Sequence, residues 1–166
     1  METTQSQPVI NPKLIVPFVD SVRSVFSTMV GVATTVLRPH IKSTPAPCYD
    51  VSSIIGFSGS VVGMVVVSFQ KEAAEKLASV FAGESIDASS PDFADALGEL
   101  ANMIAGSAKK HLGSDANITV PSVVIGPAHS LPRLSNVPCV VIPCKTPVGD
   151  FAVEVSIKQI NAADAQ

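Results

Sequence analysis

The sequence predicts an α+β fold, an α/β sandwich in which helices pack against one long, antiparallel-type sheet. Three observations predict it. Two segments carry apolar residues at helical spacing, several short runs between turn residues are rich in Val, Ile and Thr, and the order of these two kinds repeats. The repeat runs helix and three strands, then a short extra helix, then helix and three strands again. A chain of 166 residues, 46% hydrophobic and 15% charged, suits one domain with a substantial core. That domain is expected over residues 11–161, with flexible ends at 1–10 and 162–166.

The first half opens with Pro12 to Met29, where Leu14, Phe18, Val22, Val25, Phe26 and Met29 share a helical face. Pro17 puts the start of the regular helix at about that residue, because a proline ring and its missing N–H disfavour a helix interior. Gly31 supplies a C-terminal cap. Val32 to Ile41, Tyr49 to Phe57 and Val61 to Phe69 read as strands. Phe57-Ser58-Gly59-Ser60 makes a hairpin turn between the second and third, while Ser43 to Cys48, with Pro45 and Pro47, is a looser connection. A short helix at Lys71 to Phe81 stops near Gly83.

The second half begins after a loop of small polar residues, Glu84 to Ser90. Ser89 or Ser90 caps the helix that opens with Pro91 and runs to Leu112. Asn117 to Ile125, Val137 to Pro143 and Asp150 to Ile160 are the strands. The last alternates Phe151, Val153, Val155 and Ile157 against Ala152, Glu154, Ser156 and Lys158. Gly126 to Pro138, with three prolines, is an extended loop.

Composition narrows the function classes. A net charge of −3, no Trp and one Tyr argue against nucleic acid, which calls for basic patches and stacking platforms. The longest apolar stretch, Val61 to Phe69, is far short of the ~20 residues that span a bilayer. METTQSQPVINP lacks the features of a secretory leader. Cys48, Cys139 and Cys144 form no CxxC pair and read as reduced thiols of a cytoplasmic protein. His40, His111 and His129 stand apart from any cluster with metal-ligand spacing, so no metal site is expected. The glycines of GFSGSVVG fit neither a dinucleotide fingerprint nor a P-loop, and a turn explains them better. No Gly-x-Ser-x-Gly elbow surrounds Ser58 or Ser60.

The candidate site lies on the helix from Pro91 to Leu112. At about 100° per residue, Asp95, Glu99, Asn102, Gly106 and Lys109 fall on one narrow stripe. Phe93, Leu97, Leu100, Ile104 and Ala108 take the opposite, core-facing side. Asn is a poor helix-interior residue, and Gly98 and Gly106 each cost about 1 kcal/mol of helix stability relative to Ala, so these positions need a reason. Gly106 lets either a partner or a neighbouring element approach closely. Lys109 and Lys110 are a docking rim or a solvated helix end. In the first half Asp20, Ser24 and Ser27 stand where the second has Asp95, Glu99 and Asn102, so the acid–amide pair occurs once.

Three stretches resemble the CheC/CheX/FliY phosphatase family, CheX-type members most closely: NPKLIVPFVDSVRSVFSTMVG, SSIIGFSGSVVGMVVVSFQKEAAEKLASVFAG and DALGELANMIAG. The last matches the family's Asp/Ser-x3-Glu-x2-Asn helix signature, and Pro121 is the counterpart of a proline downstream of it. The resemblance implies hydrolysis of the aspartyl phosphate on a CheY-like receiver domain. Asn102 would position the attacking water, and Glu99 would pair with the lysine that receiver domains hold near the phosphate. Asp95, Gly98, Gly106 and Lys109 would contact the partner. It also implies a homodimer, no cofactor of the chain's own and magnesium on the receiver. The competing reading is a non-catalytic module of the same fold that binds a receiver or a flagellar-switch component.

Overall fold

The computed structural model describes residues 8–127, 129–131 and 133–161. Three α-helices, α1 (Pro12–Val25), α2 (Lys71–Ala82) and α3 (Asp92–Lys109), accompany a sheet of eight strands. These are β1 (Thr35–Val36), β2 (His40–Ile41), β3 (Val51–Ser58), β4 (Val61–Phe69), β5 (Asn117–Ile118), β6 (Ser122–Ile125), β7 (Val140–Thr146) and β8 (Gly149–Gln159). All pairings are antiparallel, as the α+β expectation requires. The expected flexible ends lie largely outside the described residues, and of the remainder Ile10 packs against the core.

The halves interlock rather than sit side by side. The sheet order is β1–β7–β8–β4–β3–β5, with β2 also on β7 and β6 also on β3. Each half therefore lends its first strand to the edge of the other half, and β4 pairs with β8 at the centre over nine residues, Val61–Phe69 against Gln159–Phe151. Gly59 turns the β3–β4 hairpin at φ 92°, and a Cβ there would lie 1.9 Å from the Asp115 carbonyl oxygen, so only glycine fits.

The helices α1 and α3 pack against each other over one face of the sheet. Phe18, Val22, Phe93, Leu97, Leu100 and Ile104 are fully buried against Ile55, Val65, Val67, Phe69, Phe151 and Val153. Phe151 stacks on Phe26 at 4.7 Å between ring centroids and on Phe69 at 5.8 Å, which joins the turn that follows α1 to the two central strands. Truncating Phe151 to Ala would cost about 3–5 kcal/mol.

Several sequence expectations need correction. The first helix begins at Pro12, capped by Asn11, rather than at Pro17. Pro17 lies inside it, and the carbonyl its missing N–H leaves unpaired belongs to exposed Lys13, where water can reach. After Val25 the chain widens into a π-helical turn, Phe26–Val30, closed by Gly31 N donating to Phe26 O at 2.8 Å. The Ser27 and Thr28 hydroxyls both donate to the Ser24 carbonyl, at 3.1 and 2.7 Å. The wider turn rotates Met29 off the core face, leaving it 59% exposed and Val30 buried. Each half's first strand is broken in two by a three-residue kink ending in proline, Leu37–Pro39 and Thr119–Pro121. The seventh strand runs three residues later than expected, Val140–Thr146.

The far face of the sheet is also buried. Ala152, Glu154 and Ser156 are covered by the segment around Lys42–Cys48 and by Leu131, Arg133 and Cys139 from the segment before β7. Glu154 pairs with Lys42, their side chains 2% and 5% exposed, and Arg133 Nη2 lies 3.7 Å from the same oxygen, Oε1. Arg133 also donates to the Pro45 carbonyl at 3.3 Å, tying the two covering segments together. His129 Nδ1 donates to the Gly126 carbonyl, so its Nε2 accepts from Ser52 Oγ, both at 2.8 Å. Ser52 has no solvent exposure, which makes this pair a pin for the loop rather than a nucleophile and its base. The three cysteines are free. Burial pushes the Cys144 thiol up to about 12, and burial also raises that of Cys139.

Candidate functional site

The candidate site is a groove between α3 and the kink that splits β5 from β6. Ser90 Oγ accepts from Asp92 N at 3.3 Å at the start of α3, and Asp92 and Asp95 in its first turn complement the positive end of the helix. Burial of Phe93, Leu97, Leu100, Ile104 and Ala108 fixes the rotation of the helix. Asp95 and Glu99 are consequently exposed and Asn102 half-buried, with the last two at i, i+3 and about 5–6 Å apart at Cβ.

The opposite wall is held at two points. Thr119 N donates to Gly56 O at 3.0 Å, and Thr119 Oγ1 accepts from Gly56 N at 2.9 Å. The threonine hydroxyl thus satisfies the β3 N–H that the strand break would have orphaned. Pro121 then packs on Gly98 of α3, where a Cβ would lie 3.2 Å from Pro121 Cγ. The resulting groove has a volume of about 670 Å³, with Ala94, Asp95, Gly98, Glu99 and Asn102 on one side and residues 118–121 and Val123 on the other.

Five of the sequence-predicted residues meet in this groove: Asp95, Gly98, Glu99, Asn102 and Pro121. Gly98 is buried, and what approaches it is Pro121. Gly106 lies farther along the stripe, half-buried, with Ile118 Cδ1 at 4.0 Å from a Cβ built there; Lys109 closes the helix and is not part of the groove lining. Sequence reasoning missed Thr119 and Val120, although a proline within a strand-like run signals a kink or bulge that re-aims its neighbours.

The first half has the same kink without the same residues. Leu37 N donates to Pro143 O at 2.8 Å, as Thr119 N does to Gly56 O. Pro143 has no N–H to satisfy, so a leucine suffices where the second half needs a threonine. Asp20 and Ser24 on α1 and Ser27 in the π turn after it are exposed, and Asp20 pairs with Arg23 at 3.9 Å.

The profile of the chemotaxis phosphatase CheX family matches residues 51–145, more than half of the chain. The chain belongs to the CheX family. The CheY-P phosphatase CheX of Thermotoga maritima is 28% identical over 121 residues, covering 70% of this chain and 78% of that protein. A chemotaxis protein CheX from Desulfovibrio desulfuricans superposes with a TM-score of 0.78 at 32% identity, over 89% of this chain and 99% of its own. The CheX of a Borrelia burgdorferi CheX–CheY–BeF3–Mg complex superposes with a TM-score of 0.74 at 26% identity, over 88% and 98%. The matched residues run across β3, β4, α2, α3, β5, β6 and most of β7, so they include both walls of the groove. Among the described residues no group of three or more His, Cys, Asp or Glu is placed to hold a metal ion, and no described helix is long and apolar enough to cross a membrane.

Proposed function

We propose that this chain is a phosphatase acting on the aspartyl phosphate of a CheY-like receiver domain, with Asn102 and Glu99 as its working residues. The observation that carries the reading is their position, side by side on the open wall of a groove whose other wall is pinned to Gly56 and Gly98. The Borrelia relative captured with CheY, BeF3 and Mg supports the same class of partner, the fluoroberyllate standing in for a phosphoryl group.

An acyl phosphate is already labile, so positioning and charge stabilisation suffice to hasten its hydrolysis. The Asn102 carboxamide oxygen accepts a hydrogen bond from a water and holds it in line with phosphorus. Water attacks phosphorus, the bond from phosphorus to the aspartyl carboxylate oxygen breaks with the carboxylate as leaving group, and the water gives up a proton to solvent as inorganic phosphate forms. Glu99 pairs with the receiver's lysine; unpaired, it would repel the phosphate. The receiver brings the magnesium, and Asp95 adds a polar docking contact at the groove's edge. A receiver substrate implies work in the cytoplasm.

The test is to mix the purified chain with a receiver phosphorylated by a small acyl phosphate and follow phosphate release. Acceleration supports the reading. Tight binding without acceleration would leave a receiver-binding module instead. The broken edge strands offer short unpaired rims, and a homodimer of the CheX type is expected; the mass in solution checks it.

A further inference from the structure

We infer that Val120 is an apolar docking knob that seats the phosphorylated receiver on the groove, an inference that rests on the phosphatase reading above and deepens it. Val120 is 85% exposed, among the most exposed large apolar residues described, and it lies on the groove wall facing Glu99 and Asn102. A lone exposed valine on a mobile loop would need no explanation. This one is held on both sides. Thr119 is bonded twice to Gly56, and Pro121 is seated on Gly98, so the residue between them is presented on a fixed backbone. A kink that projects one side chain beside a site is a known use of irregular strand geometry. Its rigidity lowers the ordering cost of binding.

The chain contains its own comparison. The first-half kink, Leu37–Pro39, has the same length, the same terminal proline and the same backbone bond into the sheet, and its middle residue is Arg38. That half has serines where α3 has the acid and the amide. The exposed apolar residue therefore accompanies the Glu99–Asn102 pair and is replaced by a cation where the pair is missing. The occupant that fits is a receiver surface with an apolar hollow next to its phosphorylated aspartate. Burial of the valine would supply contact energy that the two polar residues do not, because Glu99 must shed water to pair.

The experiment compares wild type, Val120→Ser, Val120→Ile and, as a control, Val16→Ser on a phosphorylated CheY-like receiver. Val16 is 50% exposed on α1 and is not among the groove-lining residues. Val120→Ser is expected to raise KM about tenfold, with kcat held within about twofold. Val16→Ser should keep the wild-type KM, and Val120→Ile, which keeps an apolar side chain, should fall much closer to wild type than Val120→Ser. An unchanged KM in Val120→Ser, or a loss confined to kcat, overturns the inference. If wild type binds a receiver loaded with BeF3 and Mg without turning over the phosphate, the phosphatase reading fails by itself. The same variants are then compared by titration, where a tenfold weaker Val120→Ser supports the knob and equal affinity removes it. No binding by wild type removes both.

Discussion

Gly98 and Pro121 meet across the groove so closely that a methyl group on Gly98 would lie 3.2 Å from Pro121 Cγ and 3.5 Å from its Cβ. This contact sets the width of the groove between α3 and the β5–β6 kink. Gly98→Ala gains about 1 kcal/mol of helix propensity and forces Pro121 back by a few tenths of an ångström. The two effects oppose each other in stability, so the denaturation midpoint should barely move. The wall carrying Val120 does move, and phosphatase activity should fall severalfold. Gly98→Val, which cannot be absorbed by so small a shift, should lower both. An alanine variant with full activity and altered stability would mean that the contact serves packing alone.

Asn102 and Glu99 should fail differently. Asn102→Ala removes the group proposed to hold water, an interaction realised at the transition state, so kcat should drop on the order of 100-fold with little change in KM. Glu99→Ala removes a docking ion pair and should raise KM as well. Glu99 is exposed and Asn102 half-buried, and alanine is the better helix former at both positions, so neither variant should unfold at a lower denaturant concentration than wild type. Stopped assays of phosphate release over a range of receiver concentrations separate the two effects. Equal decay rates for Asn102→Ala and wild type would remove the catalytic assignment.

The fold was legible wherever a residue pattern had one physical meaning. The α3 stripe was such a case: Phe93, Leu97, Leu100, Ile104 and Ala108 are all buried, as helical spacing required. Met29 was misread because the i, i+3, i+4 pattern assumes an α-helix, and nothing local in FSTMV announces a π turn. Glu154 and Ser156 alternate with Val153 and Val155 like an exposed edge, yet distant residues, Lys42 and Arg133, come to cover them. Long-range cover of that kind leaves no trace in a strand's own period. The groove was half visible, in Glu99 and Asn102. Its other wall depends on the Thr119–Gly56 bonds, between residues far apart in sequence.

The buried Glu154–Lys42 pair should behave as a unit. Removing one partner strands a buried charge: Glu154→Gln leaves the Lys42 ammonium, and Lys42→Met leaves the Glu154 carboxylate with Arg133 at 3.7 Å. Each single change should cost about 3–5 kcal/mol, most of it the unpaired charge. The double variant Lys42→Met/Glu154→Gln should lose far less than the sum, because only the partly exposed Arg133 is left without its carboxylate. Urea unfolding of the four proteins gives the coupling energy directly. Strict additivity would mean that water reaches the pair in the folded state.

Cys144 ties stability to pH above neutrality. Burial pushes its thiol from 9.0 up to about 12, and it lies wholly on the helix side of the sheet, in the main core. Below pH ~9 the folded and unfolded chains both keep the proton, and the thiol's contribution is fully present. As pH rises from there towards 12, the unfolded chain ionises while the folded chain does not, so stability falls by about 1.4 kcal/mol per unit. Cys144→Ala should flatten the decline in that window. It keeps the part due to Cys139 and Tyr49, which burial also shifts upward. Urea midpoints from pH 8 to 11 test the difference in slope, and parallel curves would rule out a buried thiol at this position. The same burial predicts that at pH 8 a thiol reagent modifies half-buried Cys48 first, and that Cys139 and Cys144 react only as the chain unfolds.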